Sequence, residues 1–334
     1  MMTWRGTKVL VNGAEGFIGS HLTEALVSSG ADVTGLVLYN SFGQSGWLDD
    51  LDPQILGGLR TDFGDIRDPH KMLNLCKGQE VIFHLAALIS IPYSYEAVSH
   101  YLQTNVMGTN NVLQAALTAG VGKVVHTSTS EVYGTAQFVP ISEGHPLQAQ
   151  SPYAASKIGA DKLAESYHRS FGLPVTTLRP FNTYGPRQSE RAVISSIIRQ
   201  AIDSRSENIS IGDTTPKRDF MYVGNTVEAF LSLGSADEAV DGQVYNAGTN
   251  NMVSIGDVLE QIVSLTDTAL PVVQSEQRMR PADSEVFALQ ADYSKLQAAT
   301  GWQPTIDLST GLANTIDWWK SHTGQAGNSL GYLY

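Results

Sequence analysis

The sequence predicts an α/β protein built on a doubly wound parallel sheet, with a smaller α/β portion toward its C-terminal end. Three observations predict it. Short β-branched runs alternate with helically spaced apolar residues from residue 8 to about 180, and such alternation gives a parallel sheet with helices on both faces. A glycine-rich turn follows the first run. Beyond Pro180 the order loosens into glycine turns, short strands and further helices.

Taken in order, strands are expected at 8–12, 32–38, 80–85, 123–128 and 174–179, and helices near 17–29, 69–76, 96–119 and 153–171. On the last of these, Ala160, Leu163, Ala164, Tyr167 and Phe171 form an apolar stripe at helical spacing. The later portion reads as strands around 209–211 and 243–247 with helices near 191–203, 225–234, 254–265 and 309–320. Residues 1–180 are therefore expected as a first domain and 181–323 mainly as a second one interleaved with it. A Gly-rich tail, 324–334, carries Leu330, Tyr332, Leu333 and Tyr334.

The first turn, Gly13-Ala-Glu-Gly16-Phe-Ile-Gly19, stands between the run Val9–Val11 and a helix opened by Phe17 and Ile18. Glycines there permit the tight turn, close approach of backbone to a pyrophosphate and close helix–sheet packing, while the helix N-terminus faces the phosphates. Strand before, helix after and a place at the chain start make this a Rossmann-like dinucleotide site rather than a structural turn.

Composition narrows the class. Lys+Arg 21 against Asp+Glu 33 gives a net charge of −12 over 334 residues, which argues against a nucleic-acid or basic membrane surface. No apolar run reaches transmembrane length and no apolar signal core opens the chain. The single Cys76 excludes an intrachain disulfide and a thiolate cluster, and reads as an inert buried thiol in a cytoplasmic protein. The eight histidines show no metal spacing, so no metal is expected. His84 and His126 read as core or cofactor-proximal residues.

Chemistry is concentrated in Thr127-Ser-Thr-Ser-Glu-Val-Tyr-Gly134 and Tyr153-Ala-Ala-Ser-Lys157. Tyr153 and Lys157 share a helix face one turn apart, where the Lys charge is expected to lower the Tyr pKa and fit the phenol to take a proton from an alcohol. Thr129 and Ser130 add hydroxyls and Glu131 a carboxylate. A plain alcohol dehydrogenase has no need of Glu131, which suggests chemistry at a second carbon. The competing readings are ordinary ones: hydroxyls satisfying a strand end, a solvated loop carboxylate, a helix-surface pair.

The glycine motif, Gly64-Asp65-Ile66-Arg-Asp, His84-Leu85-Ala86-Ala87, Thr-Ser-Thr-Ser-Glu-Val-Tyr-Gly and Tyr-x-x-x-Lys resemble the extended short-chain dehydrogenase/reductase family. Arg179-Pro-Phe-Asn-Thr-Tyr-Gly-Pro-Arg187, Lys217-Arg-Asp-Phe-Met-Tyr-Val223 and Arg280-Pro-Ala-Asp283 resemble its nucleotide-sugar branch. Ser-Thr-x-Glu-Val-Tyr-Gly is similar to the 4,6-dehydratases. Leu38-Tyr-Asn-Ser41, Gly46-Trp-Leu48 and Ala87-Leu-Ile-Ser-Ile-Pro-Tyr-Ser-Tyr95 are most similar to dehydratases of legionaminic acid pathways, which act on UDP- or GDP-linked N-acetylglucosamine.

The resemblance implies a mechanism. Tyr153 deprotonates the sugar C4 hydroxyl, Lys157 holds the nicotinamide ribose, Thr129 bonds the C4 oxygen and Glu131 removes the C5 proton before water leaves C6. Glucose-type dehydratases carry Asp where this chain has Ser130, so either Glu131 also serves the leaving oxygen or a water held by Ser130 helps. The resemblance further implies Asp65 and Ile66 around the adenine, Leu85, Ala86, Ala87 and Asn105 at the cofactor, and Arg218, Arg280 and Asn182 at the sugar diphosphate. It also implies a helix opened at Ala192-Val193 whose amides face a phosphate. Arg187 is a further diphosphate candidate, with a surface salt bridge equally plausible. Tyr93, with Tyr95, is either packing or a substrate-covering residue, and Asn225 reads as a helix cap. The expected partners are a nucleotide-diphosphate sugar and a second copy of the chain in a homodimer.

Cofactor choice rests on the end of the second strand, where an acid reads the NAD ribose and a basic residue a 2′-phosphate. Here it ends Val37-Leu-Tyr-Asn-Ser41, with neither. Asn40 is the candidate for the ribose, and the missing cation favours NAD over NADP without excluding the latter. Beside the dehydratase stand two other functions: a C4 epimerase, decarboxylase or ketoreductase working without Glu131, and a non-catalytic dinucleotide-binding sensor.

Overall fold

The computed structural model describes residues 4–278 and 286–322. Strand β1 (Lys8–Asn12) is followed by helix α1 (Phe17–Ser28), β2 (Asp32–Leu38), α2 (Pro53–Gly57), β3 (Leu59–Gly64), α3 (Pro69–Cys76) and β4 (Val81–His84). Then come α4 (Ile91–Glu96), α5 (Val98–Tyr101), α6 (Thr109–Ala119), β5 (Lys123–Thr127), α7 (Pro152–Phe171) and β6 (Val175–Pro180). The later part contributes β7 (Thr183–Tyr184), α8 (Val193–Ile202), β8 (Ile209–Ile211), β9 (Lys217–Arg218), β10 (Met221–Tyr222), α9 (Val223–Gly234) and β11 (Val244–Ala247). It closes with β12 (Val253–Ser254), α10 (Ile255–Thr266), β13 (Val272–Gln274), α11 (Ser294–Thr300) and α12 (Leu308–Ser321).

Seven parallel strands form the main sheet in the order β11-β6-β5-β4-β1-β2-β3. One face carries α1 and α9, whose Leu22, Leu26, Val227 and Phe230 pack on Val9, Val11 and Phe83. The other carries α3, α6 and α7 through Met72, Val112, Leu113, Ala164 and Tyr167 over Leu10, Ile82 and Val124. Successive strand residues point to opposite faces, so near-continuous apolar strands serve both layers. A separate core joins α8, α10 and α12 through Ile194, Ile197, Ile198, Val258, Ile262, Leu312 and Ile316. No helix among the described residues is long and apolar enough to cross a membrane.

Four differences from expectation have physical causes. Strand β3 (Leu-Arg-Thr-Asp-Phe-Gly) was not expected because it has no apolar run. It is an edge strand with half-exposed, polar positions, and Arg60 donates to Thr34 of the neighbouring strand at 2.6 Å. The seventh strand, β11, comes from beyond residue 180 and pairs Val244 with Thr177, so the main sheet is not confined to 7–180. Helix α11 had no clear apolar period. The helix expected over 96–119 is divided. Ser90 accepts the Tyr93 amide and Pro92 sits in the first turn, starting α4 early. Ala97 departs from helical angles (φ −121°), and residues Leu102–Gly108 form a π-helical segment before α6. Such segments often sit at functional sites.

The loop after β2 is tied both to the turn before α1 and to α12. The Trp47 amide donates to the Glu15 carbonyl at 3.1 Å, and the Trp47 ring meets Trp318 of α12 edge-on, centroids 5.5 Å apart.

Candidate functional site

The strand order reverses between β1 and β4, with β2 and β3 on one side and β5, β6 and β11 on the other. A crevice opens there beyond the strand ends. Gly13 turns the chain with φ +78°, and a Cβ on it would lie 2.8 Å from the Ala86 nitrogen. One on Gly19 would lie 2.0 Å from the Gly13 carbonyl oxygen. Gly16 precedes α1 and no side chain caps that helix, so its first amides keep their donors for an anion. Phe17 and Ile18 pack against the core at its start. Leu85, whose amide donates to the Asn12 carbonyl at 3.0 Å, Ala86 and Ala87 lead away from β4 beside this turn. Both polar atoms of the Asn12 side chain are buried without a protein partner among the described residues. A cradle that only glycine fits, uncapped amides and an orphaned polar side chain suit a dinucleotide.

The reactive groups converge at the ends of β5 and α7. Ser151 caps α7 by accepting the Ala154 amide at 3.1 Å, and Pro152 occupies its first turn, which sets Tyr153 at the helix entrance. Thr129 accepts the Glu131 amide at 3.2 Å and opens a short 3₁₀ turn, Ser130–Tyr133. The Thr129 hydroxyl and the Glu131 carboxylate both lie close enough to the Tyr153 phenol to act on it, Thr129 favouring its ionised form and Glu131 opposing it. Lys157, one turn on, donates to the Thr127 carbonyl at 2.5 Å. Tyr153, Lys157 and Ser130 are buried. The five expected residues are thus brought together.

Their electrostatics differ from the expectation in one respect. The Tyr153 phenol is raised, not lowered. Burial is the main cause, the Thr129 bond opposes it, and Glu131, Tyr101 and Asp161 add to it. The lowering falls on Lys157 instead: burial brings its ammonium to about 8 against the pull of Asp161. In a buried, low-dielectric site the cost of a charge outweighs the help of a neighbouring cation.

A polar layer beneath the site went unrecognised in the sequence. Asp161 accepts from Ser128 at 2.8 Å and from two Arg179 nitrogens at 3.1 and 2.8 Å, with His126 at 3.3 Å. Burial would raise the Asp161 carboxyl, yet His126 and Arg179 hold it at about 2. Arg179 also donates to the Tyr133 hydroxyl at 2.9 Å. Burial drives His126 and His84 down, toward neutral imidazole. A signal was present: Tyr153, Lys157 and Asp161 are spaced i, i+4, i+8 and share one helix face. Tyr101 is a second missed residue. Fully buried, it links Tyr93 and Tyr153 through ring contacts with centroids 6.1 and 6.3 Å apart. Nothing in its local pattern marks it.

Other expected residues separate into those placed with the site and those spent elsewhere. Asn182 sits where its carbonyl accepts the Met221 amide at 3.0 Å, three residues from Arg218. Its Oδ1 is buried without a partner among the described residues. Arg218 is buried and donates to its neighbour's carbonyl, Lys217, at 3.1 Å. Helix α8 begins at Val193 without a side-chain cap. Ile66 is buried against α6, where a Cβ on Gly108 would meet it at 2.5 Å. Arg280 lies outside the described residues, as does the tail 324–334.

Four assignments change. Asn40 donates to the Leu38 and Gln44 carbonyls and accepts the Phe42 and Gln44 amides. All four of its bonding positions close its own loop, so none is left for a ribose. Asn105 donates to the Leu88 carbonyl and Ser156 hydroxyl and accepts the Leu88 amide, each within 2.9 Å, which makes it a brace between the post-β4 loop and α7. Arg187 (φ +67°) turns to α1, with Glu24 at 2.7 Å, so the salt bridge is the reading that holds. Asn225 caps no helix of its own. It accepts the Thr305 and Ile306 amides and donates to the Ile306 carbonyl, because α9 already starts at Val223. Asp65 is engaged by the Arg67 guanidinium at 2.5–3.1 Å. Burial would raise its carboxyl, but Arg67 holds it below the usual range. Cys76 is buried and its thiol is pushed up to about 12, as an inert thiol requires.

Residues 10–315 match the family model described as GDP-mannose 4,6 dehydratase. A dTDP-glucose 4,6-dehydratase of an Actinoplanes species is 32% identical over 94% of this chain and 98% of its own. A UDP-N-acetyl-alpha-D-glucosaminuronate decarboxylase of Bacillus cytotoxicus is 34% identical over 94% and 98%. The crystal structure of DesIV, a dTDP-glucose 4,6-dehydratase from Streptomyces venezuelae with NAD and TYD bound, superposes with a TM-score of 0.84 at 29% identity, covering 95% of this chain and 98% of that one. With its glycine cradle at the β1/β4 switch point and its Thr-Glu-Tyr-Lys cluster above β5, the chain belongs to the GDP-mannose 4,6-dehydratase-like family of extended short-chain dehydrogenases/reductases.

Proposed function

We propose that the protein is a nucleotide-sugar 4,6-dehydratase that uses NAD and acts on UDP- or GDP-linked N-acetylglucosamine. The carrying observation is the position of Glu131, two residues from Thr129 on the same turn and near enough for its charge to act on the Tyr153 phenol. A redox step at C4 needs only a base at the C4 hydroxyl. A carboxylate beside that base adds a group able to remove the neighbouring C5 proton. Bound NAD supplies the acceptor and later donor of a hydride. Tyr153 takes the C4 hydroxyl proton, and Thr129 holds the oxygen that becomes the ketone. The ketone acidifies C5, and Glu131 takes that proton as the C6 hydroxyl leaves as water, the proton for the departing oxygen being delivered either by Glu131 or through a water held by Ser130. Asn182 and Arg218, with Arg280, are assigned to the sugar diphosphate, Arg218 by charge-assisted bonds. Substrate binding is accordingly placed mainly in 181–323 and cofactor binding in 1–180. The N-acetylglucosamine assignment rests on the Leu38–Ser41, Gly46–Leu48 and Ala87–Tyr95 segments.

A C4 epimerase or decarboxylase is the second reading, favoured by the decarboxylase relative at 34% identity and by a Tyr-Lys pair sufficient for C4 oxidation alone. Mass spectrometry after incubation with UDP-, GDP- and dTDP-hexoses and with a UDP-linked hexuronic acid separates the two. A dehydratase product is lighter by one water, an epimerase product keeps its mass and a decarboxylase product loses carbon dioxide. Retention of mass with every sugar would remove the dehydratase reading.

A further inference from the structure

Strand β2 ends without an acid at Leu38-Tyr39-Asn40, and Asn40 is consumed by its own loop. A carboxylate nevertheless stands at that strand end, supplied from the glycine turn. Glu15, between Ala14 and Gly16, accepts the Leu38 amide on Oε1 at 2.9 Å. Its Oε2 is buried and has no partner among the described residues. Burial raises this carboxyl, with the Leu38 amide opposing. The loop wraps around it: the Trp47 amide bonds the Glu15 carbonyl at 3.1 Å, and a Cβ on Gly46 would lie 2.9 Å from that oxygen.

We propose that Glu15 is the ribose-reading acid of this protein, its free Oε2 accepting from the adenosine ribose diol and its charge excluding a 2′-phosphate. The proposal rests on dinucleotide binding in the crevice and is independent of the sugar chemistry. Topology puts the adenosine ribose beyond the end of the second strand. A buried carboxylate oxygen without a donor is costly to leave unmet, and a ribose hydroxyl meets it. The same oxygen beside a phosphate dianion faces like-charge repulsion, and the segment 38–50 holds no Lys or Arg to relieve it. The acid at the Rossmann strand end has moved to the turn that faces it.

The test is equilibrium binding, read by fluorescence of NADH, NADPH and 2′-deoxy-NADH with the wild type and Glu15→Gln. The glutamine keeps an acceptor for Leu38 but presents an NH₂ to the ribose. The wild type should bind NADH at least about tenfold more tightly than 2′-deoxy-NADH, the size of one lost bond to a charged group. In Glu15→Gln that preference should vanish and the NADH/NADPH affinity ratio should fall at least about tenfold. If the wild type does not distinguish NADH from its 2′-deoxy form, the proposal is overturned whether or not the variant folds. It is equally overturned if the variant keeps the wild-type ratios. Failure of the dehydratase reading leaves these affinities untouched, so the two outcomes are distinguishable.

Discussion

In the proposed dehydratase, Glu131 and Tyr153 divide the work of the site between two carbons, and substitution should separate them. Glu131→Gln keeps size and hydrogen bonding but no basicity, so C4 oxidation should continue while water elimination stops. Reduced cofactor, seen in the near ultraviolet, should accumulate with substrate, and solvent deuterium should no longer enter C5. Normal turnover would make Glu131 a loop carboxylate. Tyr153→Phe should lower the maximal rate by about 10²-fold or more with binding retained; unchanged turnover in single-cycle kinetics would take the phenol out of the mechanism. Lys157 yields a stability prediction. Its ammonium falls from 10.5 to about 8 in the fold, so the unfolded chain binds the extra proton between those values and stability rises with pH across that window. Below about pH 8 the buried charge costs the fold roughly 3 kcal/mol. Lys157→Met should therefore be inactive yet more stable than wild type at pH 7 by urea unfolding, and that advantage should shrink toward pH 10. An advantage constant with pH would contradict the buried-charge account. The sequence showed these residues because the proposed chemistry imposes fixed spacing on a helix. It marked Asp161 only by its helical spacing from Lys157, and it concealed Arg179 and Tyr101, whose roles depend on strands and helices far apart in the chain. It misled at Asn40 and Asn105, where hydrogen bonds to nearby backbone compete with a ligand.

At the scale of elements, the β1–α1 turn and the 302–306 segment show how much local geometry depends on single positions. An added Cβ on Gly19 would lie 2.0 Å from the Gly13 carbonyl oxygen, and backbone cannot yield there as a side chain does. Gly19→Ala should cost ~2 kcal/mol or more and release the cofactor, measurable by calorimetry and by nucleotide content after gel filtration; a variant that retains both would show the turn to be looser than its geometry. Asn225→Ala strips the Thr305 and Ile306 amides of their acceptor and should destabilise by about 1–3 kcal/mol without altering the Michaelis constant. Elements with strong period were legible: β1, β2, α3 and β8 fall on their expected residues. The π segment was not, because its extra residue per turn leaves the apolar pattern nearly helical. Strand β3 was not, because at an edge half its residues face water.

For the whole molecule, α5, the π segment and α7 leave Val98, Leu102, Met107 and Phe171 43–59% exposed on the side of the sheet opposite α1 and α9. Apolar groups so placed suit burial against a second copy. Light scattering at micromolar concentration should give twice the chain mass, and Leu102→Glu should halve it; a wild-type monomer would sink the homodimer. The pairing of β11 with β6 was not legible, since nothing local tells Val244–Ala247 to join β6 rather than the later strands.

The Trp47–Trp318 contact bears on residence time. The proposed reaction takes a hydride and gives it back within one turnover and so consumes no reductant, and an enzyme running it gains nothing by letting its nucleotide exchange with the pool. The indole pair fastens the strap beside Glu15 to the last described helix, and if Glu15 holds the adenosine ribose as proposed, this strap stands beside the bound nucleotide. Trp47→Ala should therefore shorten the lifetime of the bound nucleotide, read as faster displacement by excess ADP-ribose, while the rate of a single catalytic cycle with nucleotide in place stays as it was. An unchanged displacement rate would reduce the strap to a packing contact.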